Sequence, residues 1–71
     1  METSMSDQDQ TELRVRLARL EIEHMDLGRA IDALIAIGSE PLCIQRFKKK
    51  KLTVKDEIIR LKDEINPDII A

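Results

Sequence analysis

The six residues IGSEPL, Ile37 to Leu42, interrupt an otherwise continuous helical periodicity and decide how the chain folds. Gly38 suits the left-handed backbone that closes a helix, because it carries no Cβ to clash. Ser39 is the expected N-cap of a second helix. Pro41 fits the first turn of that helix, where its missing N–H would have had no partner. Two helices joined by so short a break, 38–41, are expected to fold back antiparallel.

Working outward, the segment before the break carries Leu13, Leu17, Leu20, His24, Leu27, Ile31 and Leu34 at alternating spacings of four and three. This is one face of a helix. Ile22, Met25, Ala30, Ala33, Ile35 and Ile37 read as apolar surface beside that stripe. The helix is expected over about 11–37, capped by Thr11 or Asp9. After the break, Ile44, Phe47, Lys51, Val54, Ile58, Leu61 and Ile65 repeat the pattern, and Leu52 and Ile59 widen it. This helix is expected over about 42–65, stopped by Asn66-Pro67. Residues 1–10, polar and acidic, read as a flexible tail, and 67–71 as a C-terminal tail. The fold class is therefore all-α, an antiparallel, coiled-coil-like two-helix hairpin over 11–66. Its stripes are wider than a single two-stranded seam needs, so assembly into a four-helix bundle or larger homo-oligomer is expected.

Size supports that expectation. A 71-residue chain buries little surface, and such chains lean on disulfides, metals or oligomerisation. Cys43 is the only cysteine, so no internal disulfide forms, and with His24 as the only imidazole a zinc cluster is not expected. Oligomerisation remains. METSMSDQDQ does not read as a signal peptide, and no apolar run reaches the roughly 18 residues of a membrane span. A reduced, cytoplasmic setting is the expectation.

Net charge is −2 but uneven. Arg46, Lys48, Lys49, Lys50, Lys51 and Lys55 form a local basic cluster with no acid among residues 46–55. Successive helical residues are about 100° apart, so the four consecutive lysines cannot all face one ligand. Lys51 falls on the apolar stripe, where its stem can lie along the seam. Counting outward from the turn pairs Lys51 with Asp26, and Lys55 with Glu21 or Glu23. Arg46, Lys48, Lys49, Lys50 and Lys55 remain as an interaction patch. It reads either as a solvated or protein-docking helix face, or as a phosphate-binding surface for nucleic acid or an anionic membrane. One Phe, with no Trp or Tyr, counts against base stacking.

His24 sits among leucines and is expected to bond an acid across the seam. Held neutral there, it would make assembly pH-sensitive. Catalysis would need a second group in reach, and Cys43 lies far along the rod. No phosphate-binding loop or nucleophile elbow is present. The sequence thus assigns no catalytic, cofactor-binding or metal residue, and an enzyme is not expected.

Two stretches carry a resemblance. EHMDLGRAI (Glu23 to Ile31) and FKKKKLTVKDEIIRL (Phe47 to Leu61) resemble the YdcH-like family, small bacterial proteins catalogued as a domain of unknown function. The similarity covers roughly residues 13–65. Phe47 and Val54 stand where the family has leucines, and Gly28 where an acid is common. The resemblance implies a short, cytoplasmic helical protein and supplies no activity, cofactor or catalytic residue. The functional expectation is a non-enzymatic structural or protein-interaction module that self-associates or holds an unidentified protein. The alternative is nucleic-acid binding through Arg46–Lys55.

Overall fold

The computed structural model describes residues 7–66; the expected tails over 1–6 and 67–71 lie outside the described residues. Two helices, α1 (Asp7–Ala36) and α2 (Pro41–Ile65), form an all-α hairpin. Helix α1 starts four residues before the expected boundary, so 7–10 belong to the helix and not to a tail, and Asp9 and Thr11 lie inside it. The local sequence accounts for this. Asp9 stands in the first turn, where an acid complements the unpaired N–H groups and the dipole, and residues 7–12 contain no Gly or Pro to break the helix.

The turn closes α1 with two overlapping bonds. The Gly38 N–H donates to the Ile35 carbonyl at 3.1 Å, and the Ser39 N–H to the Leu34 carbonyl at 2.9 Å. Gly38 has φ 73°. This is the Schellman arrangement, with glycine at its left-handed position. Ser39 is thereby used to finish α1 and does not cap α2. The N-cap is Glu40, without a side-chain cap bond, followed by Pro41. At the far end the Asn66 N–H closes α2 on the Lys62 carbonyl at 2.8 Å.

Between the helices lies a narrow core. Ile31, Val54, Ile58, Leu61 and Ile65 are buried. Leu13, Leu17, Leu20, His24, Leu27, Leu34, Ile44, Phe47 and Lys51 are half-buried. All fourteen stripe positions therefore face inward, but one contact surface leaves most of them partly wet. Burying a Val or Ile side chain contributes roughly 1.5–3 kcal/mol, so the few buried residues, mostly on α2, hold the hairpin together.

The register differs from a count outward from the turn. Leu42, in the first turn of α2, is exposed. Lys51 lies over Gly28, its Nζ 3.5 Å from where a Cβ would stand, and makes no ion pair with Asp26. Lys62, not Lys55, reaches Glu21, at 3.8 Å. No ion pair joins Lys51 or Lys55 to those acids among the described residues.

Candidate interaction surfaces

The two helices divide the hairpin's surface into two seam grooves and two outer faces. One groove, of about 360 Å³, is lined by His24, Ile31, Lys48, Lys51, Leu52 and Lys55. Lys48, Lys51 and Lys55 project there because spacings of three and four return to one side of a helix. The lining includes no carboxylate. His24 has no bond to an acid across the seam among the described residues; the groove it lines is otherwise made of three lysines with Ile31 and Leu52.

The opposite groove is smaller, about 260 Å³, and is lined by Leu27, Arg46, Phe47 and Lys50. The basic cluster is therefore split. Arg46 and Lys50 flank one side of α2, and Lys48 and Lys55 flank the other. Lys49 is exposed, and its carbonyl accepts a bond from the Thr53 hydroxyl at 3.1 Å. A single ligand spanning all five residues would have to wrap around the helix.

Chemistry-bearing groups stay apart. Cys43 is a half-buried free thiol near the turn, and the groove around His24 does not include it. Among the described residues no cluster of three or more His, Cys, Asp or Glu side chains could hold a metal ion. No helix among them is long and apolar enough to cross a membrane.

The apolar surface left open is considerable. Ile22 is 59% exposed and Met25 54%. At about 100° per residue they lie across the helix from the buried stripe, not beside it. Val15, which the stripe pattern passes over, joins them at 48%. The signal was present in the sequence: Val15, Ala18, Ile22 and Met25 are spaced three, four and three, a second stripe on the far side of the first. Leu52 and Ile59 are exposed on α2, and Ile35, Ile37 and Leu42 cluster at the turn.

A family model described as a protein of unknown function (DUF465) matches residues 17–62. The chain belongs to this family. The match includes both stretches that carry the YdcH-like resemblance, which is consistent with it. It begins within α1 and ends within α2, so the family's defining segment is the hairpin itself, turn included. No curated protein and no solved structure gives a significant match.

Proposed function

We propose that the protein is a non-enzymatic interaction module, a helical hairpin that self-associates through its uncovered apolar faces. One observation carries the reading: the row of exposed apolar side chains along the outer face of α1. A hairpin with a core this thin gains stability from covering that row. A bacterial cytoplasmic setting, which the YdcH-like resemblance implies, fits this reading. If self-association stabilises the fold, the melting temperature rises with protein concentration. A midpoint independent of concentration over a hundredfold range counts against the proposal.

A second reading is favoured by the groove of His24, Lys48, Lys51 and Lys55, which gathers cations without an acid. There the module binds a polyanion such as DNA or RNA. Binding would weaken steeply with salt, and Lys48→Glu with Lys55→Glu would abolish it. Absence of any salt-sensitive binding to either nucleic acid removes this reading.

A further inference from the structure

We infer that a second copy of the chain docks antiparallel on the outer face of α1, with Ile22 over the partner's Met25; the inference rests on the self-association proposed above. The geometry follows from the second stripe. Val15, Ile22, Arg29 and Ala36 recur every seven residues, and Ala18, Met25 and Asp32 interleave with them. These are the two core positions of a coiled-coil seam. All seven residues are exposed, and the face lies opposite α2, so docking leaves the hairpin's own seam intact.

Charge decides the direction. Arg14 and Glu21 flank one side of the stripe, and Arg19 and Asp26 flank the other. In a parallel pair, residues on opposite flanks meet across the seam. Arg14 would then face the partner's Arg19, and Glu21 the partner's Asp26, each contact occurring twice. All four contacts are repulsive.

In an antiparallel pair, residues on the same flank meet. With Ile22 level with the partner's Met25, Arg19 faces the partner's Asp26 and Asp26 faces the partner's Arg19. The other flank sets Glu21 against the partner's Gly28 and Arg14 against the partner's Ile35, without a like-charge contact. Side-chain sizes fit the same register: the long Arg29 falls opposite the partner's Ala18, over which its stem can lie. Val15 with the partner's Asp32 forms an outer layer near the rim.

The product is a flat row of four helices, in the order α2, α1, partner's α1, partner's α2. It differs from a square bundle, and it leaves both basic helices outermost.

Two sets of variants test this. Arg19→Asp removes both attractive contacts and is expected to weaken dimerisation roughly tenfold; adding Asp26→Arg restores it. A parallel seam would instead dimerise more tightly with Arg19→Asp, overturning the inference. Both residues are exposed, and retained helical circular dichroism confirms the fold.

In a Cys43→Ala background, chains carrying Val15→Cys are mixed with chains carrying Asp32→Cys. Oxidation should link the two kinds to each other. The two Val15 positions of an antiparallel pair are about 25 Å apart along the axis, so Val15→Cys chains alone should not link. Their linking to themselves would mean a parallel seam. No linking in particles that still have dimeric mass would mean another face docks. Monomeric mass for the unmodified chain would remove the self-association itself.

Discussion

Replacing each glycine by alanine should move stability in opposite directions. Gly28 lies within α1, and a Cβ there would meet only the end of Lys51, at 3.5 Å from Nζ and 3.8 Å from Cε. These are ordinary van der Waals separations to a flexible side chain, so no steric cost offsets the helix propensity gained. That gain is about 0.8–1 kcal/mol. For a domain of this size it raises the melting temperature by about 4–8 °C. Gly38 has open space around it, but its φ is 73°. Alanine in the left-handed region costs about 1–2 kcal/mol. Stiffening the unfolded chain returns about 0.4–1 kcal/mol. The balance is a loss of roughly 1 kcal/mol, with a melting temperature lower by about 5 °C. Thermal and urea melts followed by helical circular dichroism read both, at one fixed concentration because self-association shifts midpoints. Loss of stability in Gly28→Ala would refute the reasoning at its root, since something would then approach α1 more closely than Lys51 does. An unchanged Gly38→Ala would mean the turn does not depend on the Schellman closure.

Ile58→Ala should cost about 2–5 kcal/mol, enough to melt most of so small a domain at room temperature, measured as loss of the helical signal. Lys51→Leu should stabilise the hairpin by up to about 1 kcal/mol in urea melts, because it replaces a half-buried, unpaired cation beside Lys48 and Lys55 with apolar surface. A loss of stability would assign Lys51 an interaction it lacks here. Lys62→Ala should cost no more than about 0.5 kcal/mol and nothing at 1 M salt, since its contact with Glu21 is long and both partners are about half exposed.

The hairpin was legible because one physical signal repeats. Fourteen residues at three-four spacing, from Leu13 to Ile65, turn inward in the structure, and Gly38 with Pro41 marks the reversal between them. Three features were not legible for separate reasons. Ser39 has the chemistry of an N-cap, but the closure of α1 uses its backbone N–H, and the cap falls to Glu40. The polar start of α1 reads as tail because amphipathic periodicity is absent there, although Asp9 suits a helix N-terminus. Cross-helix pairing depends on the offset between the helices and on the reach of long side chains, which no local pattern encodes; in the structure Lys51 meets Gly28 and Lys62 meets Glu21. That adjacent lysines point to different sides was legible from the roughly 100° step between helical residues, and the structure sets Arg46 and Lys50 along one groove and Lys48 and Lys55 along the other.

Molar mass by light scattering on a sizing column, over a range of loading concentrations, tests the central claim most directly. The account predicts a stable multiple of 8.2 kDa, retained on dilution and reduced when Ile22 is replaced by glutamate. A folded particle of 8.2 kDa at every concentration would contradict it.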